Sequence, residues 1–297
     1  MRKYLSFPRE ATMSIVVTAA SGHLGRLVLA ELLDRGVPAD QLVAAGRSPD
    51  KLADLAGRGV AVVAIDYTDP GTLAKAFSAG DTVLLISSGD LADRVGQHRN
   101  AVEAAAAAGV GRLVYTSVLG ADDTPLPIAP DHVRTEAIVR ESGLPFTFLR
   151  NGWYTENYGR SLDQVRGSGV LLTSVGDGRV ASATRADFAA ATAAVLTGGG
   201  HEGKAYELSG DEAWTFDDLA AAFSTLLGRE VAHRSVSPEE HRRILVGNGV
   251  DPQLVGFLVA MDGAIREGAL AVRTGDLSRL AGRPTTPLLE GLRPLAG

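Results

Sequence analysis

Ser14-Ile15-Val16-Val17-Thr18-Ala19-Ala20-Ser21-Gly22-His23-Leu24-Gly25 is the stretch on which the fold turns. Its first half is apolar and β-branched, the composition of a buried parallel strand. Its second half is a turn of small residues, and Leu24–Arg35 continues at once with helical spacing of apolar positions. A glycine-rich turn between a first strand and a first helix lets backbone N–H groups and the positive helix end meet a pyrophosphate, and Gly25 allows helix and strand to pack closely. Two glycines alone would be an ordinary turn. The strand-turn-helix order, repeated downstream, gives them weight.

The repetition is plain. Strands over Leu42–Gly46, Val60–Asp66, Thr82–Ser87, Arg112–Ser117 and Phe146–Leu149 alternate with helices near Pro49–Ala56, Pro70–Ala76, Arg94–Ala108 and His132–Ser142. That rhythm predicts an α/β fold with a doubly wound parallel sheet of the Rossmann type. After Arg150 the regularity breaks. Residues 151–158 are aromatic and polar, and four glycines fall between Gly167 and Gly178, so a loop-rich excursion is expected there. A helix Arg185–Leu196 and a strand Ala205–Ser209 return to the sheet. A helix Phe216–Leu227 capped by Thr215, a strand near Glu230–Val236 and a capping box in Ser237-Pro238-Glu239-Glu240 follow. The expected division is a leader over 1–12 and a dinucleotide-binding Rossmann part over 13–150 to which 184–210 returns. A smaller, mostly helical substrate-covering part would comprise 151–183 and 211–297.

Composition narrows the function. The 297 residues are 45% hydrophobic with a net charge of -6, so a broad cationic footprint for nucleic acid is lacking, and no apolar run is long enough for a membrane span. With no cysteine, redox chemistry has to come from a bound organic cofactor. The six histidines show no ligand spacing, and no metal site is expected. Residues 1–9 are basic without the apolar segment of a secretory signal, which leaves the cytoplasm as the default compartment.

Residues 19–24, Ala19, Ala20, Ser21, Gly22, His23 and Leu24, are the candidate pyrophosphate loop. At the end of the second strand, where NAD would meet an acidic residue, stands Arg47, with Lys51 one helical turn on. A guanidinium fork suits a 2′-phosphate, so NADP(H) is the expected cofactor. Asp66 would lie near the adenine, and Ser87, Ser88 and Gly89 near the inner ribose and phosphates. Typical short-chain dehydrogenases place a Tyr four residues before a Lys on the helix after the fifth strand, so that the Lys lowers the Tyr pKa. None of the four lysines here follows a tyrosine so. His132 and Glu136 stand at that helix position, as a weak candidate proton shuttle or a surface pair. Ser117, closing the fifth strand, faces the edge where a substrate contact is expected, and His98-Arg99-Asn100 are expected to pack or cap.

These residues resemble the NmrA-like group of atypical short-chain dehydrogenase/reductases, and within it the bacterial quinone-reducing members. The resemblance runs from about Ser14 to Leu292. It is carried by Ala20–Gly25, Gly46-Arg47, Asp66-Tyr67, Gln97-His98-Arg99-Asn100, Tyr115-Thr116-Ser117 and, most specifically, Leu149-Arg150-Asn151-Gly152-Trp153-Tyr154-Thr155-Glu156-Asn157-Tyr158. It implies flavin-free reduction of quinones with NADPH. It also places Asn151, Trp153 and Tyr154 beside nicotinamide and quinone, with Asn151, Tyr154 and His23 as the catalytic set. Tyr154, Glu156, Asn157 and Arg185 would border the cofactor, and Ser117, Trp153 and Tyr154 the substrate. A homodimer is left open. Two positions depart from the group: Ala19 replaces a glycine, and His23 a frequent glutamine. Two alternatives stay beside the quinone reading, reduction of another conjugated acceptor such as a triarylmethane dye, and a non-catalytic NADP(H)-sensing regulator.

Overall fold

The computed structural model describes residues 13–296, so the leader expected over 1–12 lies outside the described residues. The strands are β1 (Ile15–Val17), β2 (Leu42–Gly46), β3 (Ala61–Ala64), β4 (Thr82–Leu85), β5 (Arg112–Val118), β6 (Phe146–Asn151), β7 (Val170–Thr173), β8 (Arg179–Val180), β9 (Lys204–Leu208), β10 (Trp214–Thr215) and β11 (Ala232–Ser235). Seven of them form one parallel sheet in the order β3-β2-β1-β4-β5-β6-β9. Val16 of β1 sits opposite Val43 of β2 on one side and Val83 of β4 on the other. The strand order reverses at β1 and β4, the point outside whose carboxyl ends open α/β sheets take their ligands. β2 and β5 are buried along their whole length, as strands covered on both faces must be, whereas β3 at the sheet edge is half-exposed and shorter than its apolar run.

The helices are α1 (His23–Asp34), α2 (Ala53–Gly57), α3 (Pro70–Leu73), α4 (Arg94–Ala108), α5 (Ala129–Glu141), α6 (Gly159–Ser168), α7 (Arg185–Thr197), α8 (Phe216–Leu227), α9 (Pro238–Gly247), α10 (Pro252–Arg266), α11 (Asp276–Ala281) and α12 (Leu288–Leu292). The chain divides into two units, one of the described residues up to Tyr115 with Ile138–Thr147, the other of Thr116–Ala137 and everything from Phe148. The first is built on Val16, Val17, Leu29, Leu32, Val43 and Leu84, all inaccessible to solvent. The second has its own apolar cluster around Leu162, Val175, Val180, Leu219, Phe223 and Leu292.

Four expectations need correction. The helix expected over Pro49–Ala56 is a 3-10 turn (Pro49–Leu52) followed by α2. α5 begins three residues earlier than expected, because Pro130 falls in its first turn, where the missing N–H costs nothing. The excursion after Arg150 is not loop-rich: it contains α6, and β7 pairs in parallel with β11. Gly169, at φ 69°, is the left-handed cap of α6. Ser237 caps α9 by accepting from the Glu240 N–H, but the Glu240 carboxylate pairs with Arg234 instead of closing a capping box. Capping boxes occur at Thr184/Asp187 of α7 and Thr215/Asp218 of α8.

Candidate active site

In the first unit, β1 ends in a tight turn. The Ala20 N–H donates to the Ala45 carbonyl (3.0 Å) and the Gly22 N–H to the Ala19 carbonyl (2.9 Å). A Cβ at Gly25 would lie 2.7 Å from the Ala19 carbonyl oxygen, so glycine is required for α1 to approach the turn. Ala19 has φ 46°, the one positive φ among described non-glycine residues. The N-cap of α1 is Gly22, which offers no side-chain acceptor, and the first turn holds no acid. Its N–H groups and positive end are therefore left for an anion, which fits a pyrophosphate. Leu24 is buried, so only its backbone can serve such a ligand, while His23 is exposed at the first helical position.

The neighbouring loops are pinned from α4. Arg47 is exposed, and its charge, after hydrogen bonds from Thr68 to Asp66 and from the Ala92 N–H and Gln97 to Asp90, helps hold both carboxyls below their usual range. Lys51 is exposed in the turn that follows. Asp66 accepts from the N–H (2.9 Å) and hydroxyl (2.8 Å) of Thr68, a local turn that fixes its carboxylate. The Tyr67 hydroxyl donates to the Ile86 carbonyl (2.8 Å) and sits 2.5 Å from Thr18 Oγ1, so it braces strand ends, and burial raises its pKa well above normal. Ser88 donates its hydroxyl proton to Gln97 (2.6 Å) and its N–H to His98 Nε2 (2.8 Å). Asn100 Nδ2 donates to the Tyr67 carbonyl (2.9 Å). His98 and Asn100 thus hold loops, while Arg99 lies in reach of Glu103 (4.0 Å). His98 is inaccessible to solvent, and burial pushes its pKa down to about 3, which keeps Nε2 an acceptor.

In the second unit, β6 runs two residues further than expected and carries Arg150 and Asn151 in regular strand. Asn151 is buried, and its Nδ2 donates to the Tyr154 hydroxyl (3.0 Å). Its Oδ1 has no partner among the described residues. Tyr154 meets Phe188 edge to face (centroids 5.0 Å apart), and the Arg185 guanidinium lies 4.6 Å over its ring. Burial raises the Tyr154 pKa, with Asn151 and Arg185 opposing. Arg185 in turn faces Glu156 (3.5 Å) and donates to Asn157 (3.0 Å), so this expected cofactor set is assembled on one surface. Trp153 is half-buried against the second apolar cluster.

Three site expectations change. Asn151 commits one of its two amide N–H donors to Tyr154 rather than to a substrate. The Ser117 hydroxyl donates to Glu136 (2.7 Å), so its proton is not free for a substrate. His132 and Glu136 are not a surface pair: both are buried, and Glu136 is bonded to Arg150 (2.8 Å). The helix positions expected to carry the acid–base pair therefore hold a buried histidine, His132, and a carboxylate, Glu136, committed to Arg150 of β6. Sequence reading did not single out Arg150, whose partners lie 14, 28 and 57 positions away. It stood in the quoted Leu149–Tyr158 run without a role, as a charged residue ending an apolar strand. Among the described residues, no group of three or more His, Asp or Glu gathers to hold a metal, and no helix is long and apolar enough to cross a membrane.

The NAD(P)H-binding family profile matches residues 19–198. Quinone oxidoreductase 2 of Escherichia coli is 43% identical over 281 residues, covering 95% of this chain and 98% of its own. Its structure, described as an NADPH-dependent quinone oxidoreductase complexed with NADPH, superposes with a TM-score of 0.90 at 42% identity, over 95% of this chain and all of that one. The Citrobacter triphenylmethane reductase complexed with NADP(H) is 39% identical with a TM-score of 0.88, over 95% of this chain and all of that one. An NmrA-like family domain-containing oxidoreductase of Aspergillus flavus is 31% identical over 95% of both chains. By sequence along nearly its whole length, this chain belongs to the NAD(P)H-binding family, in its NmrA-like branch of oxidoreductases.

Proposed function

We propose that the protein reduces quinones with NADPH, without a flavin, and that the observation carrying this reading is the Asn151–Tyr154 pair beside a helix whose Glu136 carboxylate is committed to Arg150. Reducing a ketone leaves a strongly basic alkoxide that needs a proton donor, whereas reducing a quinone leaves a phenolate-like oxygen with a pKa of about 10. Water can protonate such an oxygen. What the chain supplies is a neutral hydrogen-bond donor. Because Asn151 donates to the Tyr154 oxygen, the tyrosine proton is free to point elsewhere, and burial keeps that proton on Tyr154. Tyr154 thus stabilises the developing charge without giving up its proton. The rate should accordingly be flat between about pH 6 and pH 9, since a tyrosine raised above its normal pKa of about 10 does not titrate there.

NADPH supplies the hydride. The first turn of α1 and residues 19–24 hold its pyrophosphate, Arg47 with Lys51 its 2′-phosphate, and Asp66, Ser87, Ser88 and Gly89 border its ribose and adenine. Tyr154, Glu156, Asn157 and Arg185 are assigned to its nicotinamide end, with His23 beside the phosphates. Ser117 and Trp153 border the substrate through oxygen lone pairs and ring face respectively. In this scheme residues 13–150 with 184–210 serve the nucleotide, and 151–183 with 211–297 the substrate. We place the protein in the cytoplasm, with a homodimer as its candidate assembly, which light scattering would read directly.

Tyr154→Phe should lower kcat with a small quinone on the order of 10²-fold, the cost of a lost oxyanion donor, with NADPH binding little changed. Asn151→Ala should cost less, because the hydroxyl remains. A Tyr154→Phe enzyme as active as the parent would remove the hydroxyl from the reaction. The likeness to triphenylmethane reductase supports a second reading, a cationic dye as acceptor. Such an acceptor develops no oxyanion, so its turnover should be indifferent to Tyr154→Phe.

A further inference from the structure

We propose that Arg150 is the positioning residue for the Asn151–Tyr154 donor, a role that rests on the quinone-reduction reading above. A guanidinium has five N–H donors in a planar fork, and here all five are taken. Nε donates to Glu136 Oε1 (2.9 Å), Nη2 to Glu136 Oε2 (2.8 Å) and Asp122 Oδ1 (2.9 Å), and Nη1 to Asp122 Oδ2 (2.8 Å) and Glu207 Oε1 (2.8 Å). Glu136 also accepts from the Ser117 hydroxyl and Glu207 from the Gly120 N–H (2.7 Å each). One side chain therefore joins the loop after β5, helix α5, the end of β6 and β9.

Stability does not explain this arrangement. Buried ion pairs are commonly matched or bettered by apolar residues of similar volume, because both charges are taken out of water. Arg150 and Glu136 are 5% and 1% exposed, and one cation faces three carboxylates. Geometry explains it better. At the level of the fork, the Asn151 carbonyl accepts from the Leu119 N–H (3.0 Å), and the Gly152 N–H donates to the Leu208 carbonyl (2.7 Å). A Cβ at Gly152 would lie 2.9 Å from that same carbonyl oxygen. The backbone of Asn151 is thus gripped from the loop after β5 and from β9, the two segments that Asp122, Gly120 and Glu207 tie to Arg150. The Asn151 amide then has one place to stand, and it aims the Tyr154 hydroxyl. Reaction rates respond to displacements of about 1 Å, and a fork across three carboxylates prevents them.

The test is a double-mutant cycle of Arg150→Lys and Tyr154→Phe, with Glu136→Gln as a second way to open the fork. Lysine keeps the charge but cannot bridge three carboxylates. Arg150→Lys and Glu136→Gln should each lower kcat about tenfold with a smaller change in the quinone KM, and leave NADPH Kd unchanged. In the Tyr154→Phe background the Arg150→Lys loss should vanish, since both act through one hydroxyl. Full activity of Arg150→Lys, or losses that simply multiply, would overturn the positioning role. If the parent protein fails to turn over quinone, the quinone reading falls instead. Positioning is then judged by fluorotyrosine NMR, where Arg150→Lys should shift the Tyr154 resonance identified by Tyr154→Phe, and an unmoved resonance would overturn it.

Discussion

Two residues of the nucleotide loops carry separable consequences. Arg47 is exposed between Asp66 and Asp90, whose charges it helps to balance, and a 2′-phosphate would be a third anion within its reach. Arg47→Ala should cost NADPH roughly 1.5–3 kcal/mol of binding, the range for a hydrogen bond to a charged group, and NADH little, as titration calorimetry would read. Equal loss for both nucleotides would remove the phosphate role. Ala19 holds a left-handed backbone that disfavours any side chain, at the position where the related group has glycine. Ala19→Gly should raise unfolding stability by roughly 1 kcal/mol in urea, with NADPH bound at least as tightly. A stability loss would show that the methyl packs to advantage. Both positions could be picked out of the sequence because their place is local, set by distance from the first glycine turn. Arg150 and Glu136 were not. A pair 14 positions apart on a strand and a helix has no local pattern, and the (i, i+4) spacing of His132 and Glu136 suggested a surface pair where the structure buries both.

Among elements, α4 links sequence and site most closely. It was readable to the residue, Arg94–Ala108, from its alanine run and the glycine that follows. What it does was less readable, since Gln97, His98 and Asn100 look like ordinary helix residues until the loops at Ser88 and Tyr67 are seen to hang from them. The strand pattern up to β6 was recovered for the same reason as α4, an unbroken alternation of periods. The region 159–173 was missed because glycines read as loop are in fact a helix terminator and a strand approach, and because β7 finds its partner sixty residues away in β11. His98 gives the element a pH signature. Its folded pKa, near 3, lies below the unfolded value of about 6.5, so the stability due to the neutral ring is complete above pH 6.5 and is lost as the pH falls from there towards 3. The loss should be up to about 1.4 kcal/mol per pH unit. His98→Gln, less stable at pH 8, should show a shallower decline between pH 6 and pH 5. An unchanged slope would mean that other groups govern acid unfolding.

Across the whole molecule the NmrA-like frame is kept, and at the helix position of the proton-transfer pair of ordinary short-chain dehydrogenases stands Glu136, paired with Arg150, the pair proposed to fix a neutral donor. The frame accounts for nucleotide binding whatever the acceptor. NADPH at about 100 times its Kd should stabilise the fold by about 2.7 kcal/mol, so a rise in melting temperature reports binding alone. Simple ketones and secondary alcohols should not react, because Ser117 and Glu136 are bonded to each other and Glu136 to Arg150, while burial keeps the Tyr154 proton on its oxygen. The decisive measurement is NADPH oxidation by a small quinone in flavin-free protein, made with NADPH carrying deuterium on each face of the nicotinamide in turn. The expected result is turnover that depends on the quinone, a rate lowered by deuterium on one face only, and deuterium lost from that face. Intact NADPH binding without quinone-dependent oxidation would contradict it.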